Sequence, residues 1–248
     1  DTSGNGHNFS TGGAYPSQAT DTPTNNFCTL NLLVPTYAGT AKATEGGTFV
    51  PWSGVNSYLA CYGTIGVTKG KWYWEFYCPS RNGSYGLTNY IGLHSIKNNS
   101  MGDPYVGTAF LSQCNWVMHY GDYNATVSGS NSGQNTAAGL PSYGTTGVGV
   151  FFGVAFDADN GKITFYRDGT RIGNANIDIF DLHDDMGAGI FVLPFFQVYA
   201  NNFNVNFGGY SSVAISSAAS DANGYGTFEI APPTGYYALC TKNLAEYG

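Results

Sequence analysis

Charge is the first thing this sequence lacks. Only 10% of its 248 residues are charged, 9 Lys and Arg against 16 Asp and Glu, where a globular domain ordinarily carries about a quarter. The net charge of −7 and the lack of any basic cluster exclude a nucleic-acid backbone as a partner. Long apolar runs are missing too, so no membrane insertion is expected. No stretch keeps a helical period. The five cysteines, Cys28, Cys61, Cys78, Cys114 and Cys240, are odd in number and contain no C-x-x-C. They indicate neither a zinc site nor a full disulfide framework. Asp1 is not a Met and no signal peptide follows it, so the chain reads as a processed product or an excised piece.

Catalytic signatures are equally scarce. There is no G-x-S-x-G, no H-E-x-x-H and no P-loop. A glycosidase needs two facing carboxylates. Glu75 in WYWEFYC and Glu229 in FEIAPP have no acidic partner on their own strand face. His94 and His119 lie in different expected strands, where a lone His is an ordinary structural residue. His183-Asp184-Asp185 could suggest a metal, but adjacent residues on a loop seldom converge on one ion, and no metal is expected there. No catalytic residue, metal ligand or cofactor is assigned. Four N-x-S/T sequons, at Asn8, Asn82, Asn98 and Asn124, are no more than this Asn- and Ser-rich composition produces by chance.

What is present is glycine, 35 residues, and aromatic side chains, 16% with 19 Tyr. That mixture suits short strands, tight turns and an aromatic core, and it does not suit disorder, which needs high charge and few aromatics. Apolar segments arrive at short spacing from Phe27 onward. They predict strands over 28–34, 58–67, 71–78, 90–95, 116–120, 149–157, 162–167, 170–176, 190–199, 203–207 and 236–240. Residues 1–24 are polar and aperiodic and read as a linker or the end of a preceding module, with the domain at 25–248. The class is all-β, a sandwich or barrel.

VAFDADNGKITFYRDGTRIG, Val154 to Gly173, could be a calcium loop or a turn. Counted from Asp157 as an EF-hand, the Gly falls one position early, Asp168 stands where Glu is required, and the flanks are not helical. Asn160-Gly161 and Asp168-Gly169 are hairpin signals between alternating apolar residues. The reading is three strands and two hairpins, with no metal. In WYWEFY, Trp72, Trp74 and Phe76 share one face, taken as the core, and Tyr73, Glu75 and Tyr77 the other. A hairpin through Thr68–Lys71 would pair Val67 with Trp72, Ile65 with Trp74 and Cys61 with Cys78. The last two are expected as buried thiols. The stretches 79–89, 97–115 and 121–147 resist strand assignment; they hold Tyr85, Tyr105, Tyr123 and Tyr143, with Trp116 and Tyr120 adjoining. Long loops of this kind are usually functional or disordered.

GTIGVTKGKWYWEFYC, YIGLHS, GVFFGVAFDADNGKITFYRDGTRIG and FVLPFFQVYANNFNVNFG, in that order, resemble the SPRY domain over about 58–208. The flanks DTPTNNFCTLN and PPTGYYALCTKNL resemble SPRY modules of phage and environmental-virus structural proteins, and DTSGNGHN resembles the edge of a concanavalin-like module. The resemblance implies a bent antiparallel β-sandwich, a SPRY/concanavalin-like jelly roll with long edge loops. It implies no enzyme activity, and binding through loops at one edge.

Three functions are compatible with these residues. The first is a recognition module on the exposed surface of a virion, made in the host cytoplasm, that binds a host-surface glycan or protein. Tyr85, Tyr105, Trp116, Tyr120 and Tyr123 are its candidate contacts, because aromatic rings on Gly, Ser and Asn loops give apolar area and adaptable hydrogen bonds. The second is a structural or decoration subunit contacting other virion subunits or its own copies as a homo-oligomer. The third is a carbohydrate-active enzyme on the same scaffold.

Overall fold

The computed structural model describes residues 21–31, 43–51, 58–79, 88–95, 115–121, 125–128, 134–135, 148–178, 191–199 and 201–248. Its strands are β1 (Phe49–Val50), β2 (Tyr58–Tyr62), β3 (Lys71–Tyr77), β4 (Thr88–Ser95), β5 (Asn115–Gly121), β6 (Ala125–Ser128), β7 (Gln134–Asn135), β8 (Phe151–Asp157), β9 (Lys162–Arg167), β10 (Thr170–Asp178), β11 (Val192–Tyr199), β12 (Phe203–Asn206) and β13 (Tyr237–Ala238), followed by a helix, α1 (Thr241–Tyr247). One sheet runs β1-β12-β3-β8-β9-β10, with β13 added in parallel beside β3. The other runs β2-β11-β4-β5-β6-β7. Apart from β13, all pairings are antiparallel. The chain is an all-β sandwich.

The core lies between the sheets, where alternation along β3 sends Trp72, Trp74 and Phe76 inward as expected, all buried. The Phe76 ring of the first sheet stacks on Phe196 of the second, centroids 6.1 Å apart. Phe203 and Phe207 extend that aromatic layer.

The opposite face of β3 is not exposed. Tyr73 and Glu75 are each 0% exposed. The chain between β12 and β13 folds back over this face as a strap, and its Phe228 ring meets Tyr73 edge-on at 5.2 Å. Gly153 on β8, register partner of Glu75, leaves the space for the Tyr73 ring. A Cβ there would come within 2.4 Å of the Tyr73 hydroxyl. The strap is pinned by Asp221, whose carboxylate accepts the N–H groups of Asn223, Tyr225 and Ala238 and the Asn243 side-chain amide.

The 154–173 segment folds as the turn reading requires, three consecutive strands joined by two hairpins. Asp168 (φ 44) and Gly169 (φ 80) both take the left-handed conformation of a two-residue turn. The first turn differs from the expectation. It has four residues between Asp157 and Lys162, and Gly161 (φ 61) carries its positive φ. The acids serve the fold: Asp157 accepts two bonds from Asn160 and pairs with Lys71 at 2.8 Å. Asp159 accepts the Gly70 N–H, and Asp168 accepts that of Phe151.

Several local expectations are corrected. Segments 58–67 and 71–78 do not form a hairpin. β2 ends at Tyr62 and pairs with β11, Val67 bridges to Val192, and β3 belongs to the other sheet. The connection crosses the sandwich, so Cys61 stands opposite Phe196 and not Cys78. Both cysteines are buried thiols, as expected. The expected strand 28–34 is reduced to isolated bridges at Phe27 and Leu30, with 32–34 outside the described residues. The stretch 121–147 contains β6 and β7. The expected strand 236–240 is two residues of β13, after which α1 begins, a helix unsuspected from the sequence.

Candidate functional site

Among the described residues, a cleft of about 200 Å³ opens beside β1. Its walls are three segments that meet only in the fold. Asp21, Phe27, Cys28 and Thr29 come from the N-terminal stretch, Glu45, Gly46 and Thr48 from the turn before β1, and Tyr210 from the root of the strap.

Each wall is held by backbone bonds. The N-terminal stretch is tied to the end of the chain, with the Cys28 N–H on the Leu239 carbonyl and the Thr241 N–H on that of Asn26. Asp21 accepts the Phe27 N–H at 2.8 Å, which turns its carboxylate along the wall. Glu45, Gly46 and Gly47 take φ of 50°, 67° and 80° in succession. Such a left-handed run is easy for glycine and costly for Glu. The turn is braced by the Thr48 hydroxyl on the Glu45 carbonyl at 2.7 Å and by the Leu30 N–H on the Gly47 carbonyl. Tyr210 crosses above it: its ring is 3.5 Å from where a Cβ on Gly46 would stand, and its hydroxyl donates to Glu45 Oε2 at 3.1 Å.

The chemistry of the lining is one-sided. Two carboxylates and three hydroxyls (Thr29, Thr48, Tyr210) offer acceptors, Phe27 and Tyr210 offer rings, and no Lys, Arg or His is among the described residues that line the space. Such a surface favours ligands rich in O–H or N–H donors and disfavours anions. Burial pushes the Cys28 thiol up to about 12, which disfavours its thiolate. The carboxylates already hold partners within the fold, Asp21 the Phe27 amide and Glu45 the Tyr210 hydroxyl. That anchoring fits oriented hydrogen bonding to a bound molecule.

Of the residues singled out from the sequence, Tyr85, Tyr105 and Tyr123 lie outside the described residues. Trp116 and Tyr120 both fall on β5, register partners of Leu93 and Asn89. Leu93 is a core residue. His94 is the structural histidine expected, buried with its ring 4.7 Å from that of Tyr62. Sequence reasoning missed Asp21, Glu45 and Tyr210, because Tyr210 lies 165 positions from the acid it bonds. The one local signal was Glu45-Gly46-Gly47, a turn that displays its acid.

No protein-family model matches the chain, and no curated protein matches it. Among solved structures the chain is similar to the SPRY domain of human HERC1, at 16% identity and a TM-score of 0.44, over 65% of this chain and 89% of that one. It is also similar to the PSpry domain of TRIM65, at 11% identity and a TM-score of 0.49, over 73% of this chain and 89% of that one.

Proposed function

We propose that this chain is a non-enzymatic recognition module that binds a neutral, polyhydroxylated ligand, a surface glycan, in the cleft beside β1. The observation that carries the reading is the lining itself: carboxylates and hydroxyls beside two aromatic rings, with no cationic side chain among the described lining residues. Sugar hydroxyls donate to anchored carboxylates, and the apolar face of a pyranose covers a ring. A cleft of this size takes one or two sugar units rather than a long chain. The setting we propose is the exposed surface of a phage or viral structural protein facing a host surface. Its support is the resemblance of the two flanking segments. Loop tyrosines Tyr85, Tyr105 and Tyr123, with Trp116 and Tyr120, are proposed as an outer contact set for the same ligand or its protein carrier.

The test is a glycan-binding screen with the purified chain and with Glu45→Gln, Tyr210→Phe, Tyr85→Ala, Tyr105→Ala and Tyr123→Ala. Retention of neutral glycans, lost in Glu45→Gln and weakened in Tyr210→Phe, is the expected result. It should change little between low and physiological salt, because no ion pair is screened. Retention unchanged in both cleft variants but lost in a loop variant would move the site to the loops. Absence of retention across the screen would refute the reading.

A further inference from the structure

Tyr210, which roofs the cleft, follows by two residues a backbone amide that is joined through Asn206 to an acid buried under the strap. Asn206 closes β12 and works in three directions. Its Oδ1 accepts the Gly208 N–H at 2.8 Å, two residues before Tyr210. Its Nδ2 donates to Glu75 Oε2 at 2.8 Å and to the Thr227 carbonyl at 2.9 Å. Glu75, 0% exposed in the middle of β3, also accepts the N–H groups of Glu229 at 3.1 Å and Ile230 at 2.7 Å, and the Tyr73 hydroxyl at 3.4 Å. One carboxylate therefore holds the root of the strap through Asn206 and its returning limb through two consecutive amides.

We propose that Glu75 is a titrating positioning residue, whose ionisation sets how firmly the strap is docked and thereby how Tyr210 is held over the cleft. The functional part of this inference rests on the cleft being the binding site; the docking of the strap does not.

Burial pushes the Glu75 carboxyl from its ordinary 4.5 up to about 7, against the pull of the donors from Ile230, Glu229, Asn206 and Tyr73. A strap that lifts would return Glu75 to water and its carboxyl toward 4.5. Lifting therefore releases a proton, and rising pH favours it. The contribution of Glu75 to docking is whole below about 4.5 and is lost as pH rises through about 7. At tenfold per unit, the shift bounds the change in the open-to-closed ratio at about 300-fold.

The neighbouring groups hold one charge state across that window. Burial keeps Tyr73 of β3 and Tyr166 of β9 above the usual tyrosine value, and puts Tyr236, beside β13, at about 12. Glu229 of the strap is raised by burial, but Ser216 and the Ser217 N–H outweigh this and hold it below the usual carboxylate value.

The experiment is NMR on the unligated chain from pH 4 to 8.5. It follows the Glu75 side-chain carboxyl carbon, the Tyr210 ring resonances, and exchange at the Glu229 and Ile230 amides corrected for the intrinsic rate. The expected result is a Glu75 midpoint near 7, with Tyr210 shifting at the same midpoint. The opening equilibrium at the two amides should rise by tens to hundreds of times over the same range. A folded Glu75→Gln chain should give flat profiles; should it fail to fold, the wild-type titrations decide alone. A Glu75 midpoint near 4.5, or amides and a Tyr210 ring that do not follow it, would overturn the proposal. These readouts need no ligand, so an empty glycan screen removes the cleft reading and leaves them standing. Glycan retention that is flat from pH 5 to 8.5 while Glu75 titrates would remove the coupling and leave the cleft.

Discussion

Replacing Phe228 by Ala should loosen the strap more than any surface change could. The side chain is 0% exposed and meets the Tyr73 ring edge-on. Removing a buried Phe ordinarily costs about 3–5 kcal/mol, the transfer of the ring plus the void it leaves. Here the void closes poorly. The ring is flanked by the backbones of Gly208 (φ 95) and Gly226 (φ 85), where a Cβ would stand only 2.8 and 2.6 Å from it. Neither glycine carries a side chain that could swing in to fill the ring's place. The edge-to-face contact contributes about a further 1 kcal/mol. The upper part of the range is therefore expected, about 4–5 kcal/mol. Denaturant unfolding followed by tryptophan fluorescence reads global stability, since Trp72 and Trp74 sit in the core. Amide exchange at Glu229 and Ile230 reads the strap alone. If the strap opens independently, exchange there accelerates while the global midpoint moves less. A loss under about 1 kcal/mol with unchanged strap exchange would refute the account of Phe228 as the strap's anchor.

Gly153→Ala should destabilise by about 1–3 kcal/mol, because the new methyl meets the Tyr73 ring; a neutral result in thermal melts would place that ring elsewhere. Burial raises the Asp157 carboxyl, but its bonds from Lys71 and Asn160 outweigh this and hold it below 3.8. Its contribution is thus present above 3.8 and lost as pH falls through the lowered value. Lys71→Met should shrink the acid-side loss of stability in melts between pH 5 and 2, and an unchanged slope would contradict the pairing. Burial pushes the thiols of Cys28 and Cys61 up to about 12, so native protein at pH 8 should alkylate at both positions only after unfolding. Rapid labelling of either, read by mass spectrometry, would show that its burial is wrong.

Local chemistry was legible wherever neighbours in sequence are neighbours in space. Asp168-Gly169 turns its hairpin because only two residues separate the strands, and the alternation of Trp72, Trp74 and Phe76 identifies the core face of β3 unaided. The same kind of reasoning failed at Cys61 and Cys78. Proximity in sequence suggested a hairpin, but the chain between Tyr62 and Lys71 crosses from one sheet to the other. It failed again at α1, whose two turns are too short to show a period. Their stability comes from Leu244 and Tyr247 against the core and from buried Asn243 on Asp221.

The sequence by itself determined that this is an all-β chain of short strands and aromatic core, poor in charge, with hairpins at Asp157–Gly161 and Asp168-Gly169. Those properties follow from side-chain period, turn chemistry and composition, which act over a few residues. Only the tertiary structure decided that Tyr73 and Glu75 are buried, that a strap covers them, and that Asp21, Glu45 and Tyr210 share a cleft. Each depends on segments far apart in sequence being brought within hydrogen-bonding distance. Glu75 shows the difference most directly: on its strand it is one acid on a polar face, and only the amides of Glu229 and Ile230, 154 and 155 positions away, make it a buried carboxylate.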